Sequence, residues 1–143
     1  MTRYSVPYAV MIAVLVALFA LPVRSAELVL FESSGCVWCQ AWDAQIGEIY
    51  PKAPEAQIAP LRRVDIDQER PADLAELRGI IYTPTFVLMD EGREIGRITG
   101  YAGEEFFWGL LGIELKKLGD RAATVTRLSG MPGASLDQQG EDK

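Results

Sequence analysis

The sequence predicts an α/β fold: a central mixed sheet flanked by helices, in the order βαβαββα. Three observations predict it. Short apolar runs with strand character alternate with segments of helical period up to about Arg78, which gives a parallel strand pair. Asp90-Glu91-Gly92 then separates two further strand-like runs, which gives a hairpin. A single helix with one apolar face follows.

Glu27-Leu-Val-Leu-Phe31 reads as a short buried strand, and Ser33-Ser34-Gly35 as a turn. Cys36 to Tyr50 reads as a helix with Val37, Ala41, Ala44 and Ile49 apolar and Gln40, Asp43, Gln45 and Glu48 polar. Pro51, Pro54 and Pro60 break the next stretch into a loop. Leu61 to Ile66 reads as a strand. Asp67-Gln-Glu-Arg-Pro71 starts a helix to about Arg78, stopped by Gly79. Thr83 to Met89 is a strand, and Arg93 to Gly100 returns from the hairpin. Gly103-Glu104-Glu105 opens a last helix to about Leu118. Its acids suit the helix dipole, and Phe107, Leu111, Leu115 and Leu118 share a face.

Composition narrows the chemistry. The chain has 143 residues, 14 basic and 20 acidic, net −6, with no histidine and two cysteines. That is one domain's worth of chain. Without histidine there is no Ser-His-Asp triad, no Cys-His pair and no imidazole metal ligand. Two cysteines cannot complete a structural zinc site within one chain. The acidic balance argues against a nucleic-acid partner, which would call for a concentrated basic face.

The N-terminus has the layout of a secretory signal. Arg3 is followed by the apolar run Ala9–Leu21, then Pro22 and Val23-Arg24-Ser25-Ala26. Small residues at the required positions favour cleavage after Ser25. The alternative is a retained N-terminal anchor, for which the run must be extended back to Tyr4 to span a bilayer. Either way the rest of the chain is expected in an oxidising compartment. The expected organisation is a signal peptide at 1–25, a domain at 26–128 and a disordered tail at 129–143, rich in glycine and poor in large apolar residues. Removing residues 1–25 takes away Arg3 and Arg24 and no acid, leaving 12 basic and 20 acidic groups, net −8.

Cys36-Val37-Trp38-Cys39 lies directly after a strand and opens a helix. At a helix N-terminus, free N–H groups and the dipole favour a thiolate, so Cys36 is the candidate nucleophile. Cys39, one turn on, is placed to attack a mixed disulfide and release the substrate. A purely structural disulfide is a weak alternative, because so small a loop removes little unfolded-state entropy. The pair could also chelate Cu(I) or bridge zinc between chains. Gln40 stands where a haem attachment site needs histidine. Trp38, between the cysteines, is expected exposed and able to touch a partner, and Trp42 to pack on the sheet. Thr83-Pro84-Thr85 is the second signal. A proline at the start of a central strand cannot donate to the ladder, and a cis peptide bond is one reason to find it there. The residue before it would then offer its backbone to an extended substrate; an edge-strand proline is the alternative.

Weaker features fit ordinary roles. Asp65 to Glu76 imitates a calcium loop, but Arg70 stands at the glycine position. Phe106-Phe107-Trp108 is expected to pack the last helix into the core, and Arg62-Arg63 to be a solvated strand end.

Cys-x-x-Cys after the first strand, Thr-Pro some 45 residues later, a glycine-turn hairpin and a final helix resemble the thioredoxin fold over about Glu27 to Gly119. Cys-Val-Trp-Cys-Gln-Ala-Trp-Asp, Pro60-Leu-Arg-Arg-Val-Asp65, Phe86-Val-Leu and Gly100-Tyr-x-Gly-Glu-x-Phe-Phe-Trp-Gly-Leu-Leu are similar to the SoxS-type periplasmic thioredoxins of bacterial sulfur oxidation. The resemblance implies a thiol–disulfide oxidoreductase with Cys36 attacking, Cys39 resolving and Pro84 cis beside them. Trp38, Thr83 and Pro84 are the expected substrate-binding residues, and no metal or cofactor is expected. The resemblance implies a protein thiol or disulfide as substrate, the cysteine of a sulfur-carrier protein, and electrons from a membrane thiol–disulfide conduit. The alternatives are a general thioredoxin-like reductant for cytochrome c maturation or disulfide isomerisation, and a non-catalytic or copper-binding module on the same fold.

The chain departs from ordinary thioredoxins at three places. Gly35 replaces a tryptophan, Val37-Trp38 replaces Gly-Pro, and Leu30 stands where a buried aspartate is usual. The first two change the surface around the dithiol. The third leaves the deprotonation of Cys39 to water or to the geometry of the mixed disulfide.

Overall fold

The computed structural model describes residues 26–129. The leader expected at 1–25 and the tail expected at 129–143 lie outside those residues, except Ser129, which ends the last helix.

Strand β1 (Glu27–Glu32) is central and carries four consecutive buried residues, Leu28 to Phe31, because both faces of the sheet are covered. It pairs in parallel with β2 (Leu61–Asp65) and antiparallel with β3 (Thr85–Asp90). β3 pairs antiparallel with β4 (Arg93–Thr99), so the sheet order is β2-β1-β3-β4. The hairpin has a two-residue loop. Glu91 and Gly92 both take positive φ, 51° and 76°, the backbone that matches the twist of paired strands. This is the mixed sheet the sequence predicts.

The connection from β1 to β2 is less regular than expected. The α-helix α1 (Val37–Trp42) opens into a π-helical turn at Asp43–Gly47, and a 3-10 turn follows at Tyr50–Lys52. Gly47 leaves room for the wider turn: a Cβ there would lie 2.9 Å from Asp43 Oδ1. The buried stripe is Cys39, Trp42, Ile46 and Tyr50; of the other apolar residues, Val37, Ala44 and Ile49 are exposed. The large side chains at steps of three and four bury more apolar area than the alanines, and they set the helix rotation. The proline-rich stretch holds a short helix, α2 (Pro54–Ile58), with Pro54 in its first turn.

The helix expected between Asp67 and Arg78 is absent, and only a 3-10 turn forms at Ala72–Leu74. Leu74, Leu77 and Ile80 recur every three residues and all pack on one face of the sheet. That is the period of a 3-10 turn, not of an α-helix. Backbone bonds Leu74 N–H to Pro71 O and Leu77 N–H to Leu74 O follow the same step, and Arg70 Nη1 takes the Leu77 carbonyl at 2.7 Å. Gly79, at φ 71°, lies within this irregular segment, between Leu77 and Ile80, and so has no helix to stop. The last helix, α3 (Glu104–Ser129), runs well past Leu118.

The two faces of the sheet differ. Under α1 and α3, Trp42, Tyr50, Phe86 and Phe107 form a buried aromatic cluster, with Leu28, Leu30 and Leu111 around it. Phe86 and Phe107 meet edge-on at 4.9 Å, and Trp42 contacts both. The opposite face holds Val29, Phe31, Val64, Val87 and Met89 under the irregular segment that carries Leu74 and Leu77. Phe106, expected in the core, is 65% exposed. A helix one residue out of phase with Phe107 turns it away.

Candidate active site

Cys36 is the N-cap of α1. Its extended backbone (φ −81°, ψ 105°) ends the turn begun at Ser33. Its sulfur accepts the Cys39 N–H at 3.0 Å. A donor already aimed at this sulfur favours its thiolate once the pair is reduced. Cys36 and Cys39 form a disulfide, with Cα atoms 5.2 Å apart. Both are buried, while Val37 and Trp38 between them stand out into solvent, Trp38 62% exposed.

The second part of the site comes from 45 residues further along the chain. The Thr83–Pro84 peptide bond is cis. The Thr83 hydroxyl lies 3.4 Å from the Ser33 hydroxyl, which ties the residue before the proline to the turn before the cysteines. Pro84 is buried and its carbonyl accepts the Gly100 N–H at 2.7 Å, so β4 fixes its position. Thr85 Oγ1 donates to the Tyr82 carbonyl and closes the loop. Sheet pairing begins only at Thr85, so Thr83 presents its backbone beyond the last rung of the ladder. Cys36, Cys39, Trp38, Thr83 and Pro84 thus sit at one end of the sheet.

Trp42, one turn after Trp38, is fully buried, as expected. The Arg63 guanidinium lies 5.6 Å above its ring. Arg62 and Arg63 lie at the solvated surface of β2 as expected, but both are ion-paired. Arg62 forms a two-pronged bond to Asp73 and reaches Glu27, and Arg63 joins Glu32 at 2.8 Å to both Asp43 oxygens. These bonds, to Asp43 above all, hold the Arg63 guanidinium above its usual pKa against the opposing effect of burial. Spacing gave no hint of this cluster, because its members come from β1, β2, the π-helical turn at Asp43 and the 3-10 turn at Asp73. A groove beside Trp38, lined by Gly100, Tyr101, Phe106 and Leu110, was likewise invisible in the sequence.

A dithiol at the mouth of a helix, beside a cis proline on a mixed sheet, defines the thiol–disulfide oxidoreductases of thioredoxin fold. Neither a family model nor a curated protein matches the chain. Solved structures do. The periplasmic thioredoxin SoxS from Paracoccus pantotrophus, in its reduced form, is 40% identical; the match covers 66% of this chain and 99% of that one, with a TM-score of 0.61. The thioredoxin of Fasciola hepatica is 23% identical over 72% of this chain and 93% of that one, TM-score 0.50. The germline-specific thioredoxin Deadhead of Drosophila melanogaster is 19% identical over 62% and 80%, TM-score 0.50. The last two show the fold alone. On the first, the chain belongs to the thioredoxin family, in which it is similar to SoxS, and it is a thiol–disulfide oxidoreductase.

Proposed function

We propose that this is a periplasmic reductase that keeps the cysteine of a sulfur-carrier protein reduced during sulfur oxidation. The Cys36 thiolate attacks a sulfur of the oxidised partner and forms a mixed disulfide, expelling the other sulfur as the first leaving group. Cys39 then attacks Cys36 Sγ. The partner leaves with the bonding pair as a thiolate, and the Cys36–Cys39 disulfide remains. A membrane thiol–disulfide conduit returns two electrons. Trp38 contacts the partner, and the backbone of Thr83, beside Pro84, pairs with the chain flanking its cysteine.

Two observations support this reading: the likeness to SoxS extends over 99% of that chain, and the Ser33–Thr83 hydroxyl pair joins the turn before the Cys36–Cys39 disulfide to the residue before cis-Pro84. Export by the N-terminal signal places the domain where an oxidised dithiol persists.

The test is capture. Cys39→Ser leaves the mixed disulfide unresolved, so cells grown on reduced sulfur compounds should accumulate one covalent adduct, with the sulfur-carrier protein. Many adducts with unrelated exported proteins would instead favour a general reductant, and no adduct at all would sink the proposal.

A further inference from the structure

A thiol attacks only as its thiolate, so the resolving cysteine needs somewhere to send its proton. Cys39 is 4% exposed. The chain has no histidine, and Leu30 fills the sheet beneath α1 with a side chain that cannot take a proton. Cys39 does, however, line a cavity of about 260 Å³ with Glu32, Asp43, Arg63 and Asp65. That volume holds several waters.

We propose that Glu32 accepts the proton of Cys39 through this cavity. The strand geometry selects it. Leu28 and Leu30 face the aromatic cluster under α1, and alternation along β1 puts Glu32 on the same face, one step nearer the cysteine turn. The groups facing Glu32 are Arg63 and Asp65 from β2, Cys39 from α1 and Asp43 from the π-helical turn after it. Arg63 Nη1 donates to Glu32 Oε2 at 2.8 Å and to Asp43 Oδ2 at 3.2 Å, so one guanidinium holds both carboxylates at the cavity. Glu32 is the less exposed of the two, at 22% against 43% for Asp43. In the step, the Cys39 S–H proton passes by water to the Glu32 carboxylate. The sulfur pair forms the bond to Cys36 Sγ, the mixed disulfide breaks, and its bonding pair leaves with the partner sulfur. The proton then returns to solvent or to the departing thiolate.

This inference rests on the roles proposed for Cys36 and Cys39, and one measurement separates the two. The reduced full chain is mixed with one equivalent of dithionitrobenzoate. The first thionitrobenzoate released reports attack by Cys36, and the second reports resolution by Cys39. In the native protein the second release should be nearly level across neutral pH. In Glu32→Gln it should be slowed at least about tenfold at neutral pH and should rise about tenfold per pH unit, as a thiolate fraction does below its pKa. The first release should be unchanged, and Glu32→Asp should restore most of the loss. The native second release should also slow more in heavy water than the first, a readout that survives if Glu32→Gln does not fold. An unaltered second release in Glu32→Gln, equal slowing of both releases, or the pH dependence appearing in Asp43→Asn instead would each overturn the proposal. Absence of the first release would overturn the role of Cys36, and this inference with it.

Discussion

The Glu114 carboxylate of α3 occupies the space where Gly96 of β4 has no side chain: a Cβ on Gly96 would fall 1.7 Å from Glu114 Oε2. Glu114 is 9% exposed, and both its oxygens bond Lys117 Nζ, at 2.8 and 2.7 Å. The missing Cβ lets α3 settle directly on β4. Alanine within a strand is ordinarily as good as glycine or better, so the sign of a substitution here is diagnostic. Gly96→Ala should displace the Glu114 carboxylate and cost up to about 1 kcal/mol, the low end of overpacking, because the atoms it meets are the far end of a flexible side chain. Adding Glu114→Ala should recover part of that loss, because the two changes share one space. Urea unfolding of the two single variants and the double variant measures the coupling; strictly additive losses would refute it.

Tyr50 gives a dependence on pH. Its hydroxyl donates to the Ala59 carbonyl at 2.7 Å, and burial, then the nearby Glu55 charge, pushes its phenol well above the usual tyrosine value of 10.0. The folded state therefore holds this proton to higher pH than the unfolded chain does. Its contribution to stability is complete below pH 10.0 and is lost as pH rises from there toward the folded pKa. Urea midpoints at about pH 8 and about pH 11 should differ, with a local slope near 1.4 kcal/mol per pH unit for one proton. Tyr50→Phe should remove much of that slope while costing about 1–3 kcal/mol at neutral pH, since the Ala59 carbonyl loses its donor.

The aromatic cluster can be tested against its exposed neighbour. Phe107→Ala should cost about 3–5 kcal/mol, the range for emptying a phenylalanine site in a packed core. Phe106→Ala, one residue earlier but turned to solvent, should stay within about 0.5 kcal/mol. Thermal unfolding of both variants decides whether the helix is phased as described.

For Trp38, exposure beside a buried disulfide separates binding from chemistry. Trp38→Ala should lower kcat/KM toward a protein disulfide by about tenfold, as loss of a central aromatic contact does. Turnover of a small aromatic disulfide, which has no surface to lay on the indole, should change far less. Equal losses on both substrates would show that Trp38 supports the dithiol itself.

What the sequence revealed follows from how local each determinant is. Cys36 and Cys39 are three residues apart, and the Glu91-Gly92 turn joins adjacent strands, so both could be read from spacing. The cis bond at Pro84 was legible because a proline opening a central strand has few physical reasons to be there. The helix expected after Asp67 failed on its period: Leu74, Leu77 and Ile80 step by three. In α1, Trp42 is buried as expected while Val37 is exposed, because the largest apolar side chains decide which way the helix turns. The Glu32–Arg63–Asp43 cluster was out of reach, since its partners lie 31 and 20 residues apart and meet only through the parallel pairing of β1 with β2.

The unequal covering of the sheet has a dynamic consequence. On one side, Val29, Phe31 and Val87 are shielded by a chain with one 3-10 turn, strapped down by Arg70 on the Leu77 carbonyl, Arg97 on the Arg78 carbonyl and Arg62 on Asp73. A segment held by side-chain straps opens at lower free energy than one held by a continuous ladder of backbone bonds. Amides between Ile66 and Tyr82 should therefore exchange with solvent ahead of those in β1 and β3. The dithiol stands on the well-insulated side and the residue before Pro84 ends the loosely insulated one, so the two halves of the site belong to regions of different local stability.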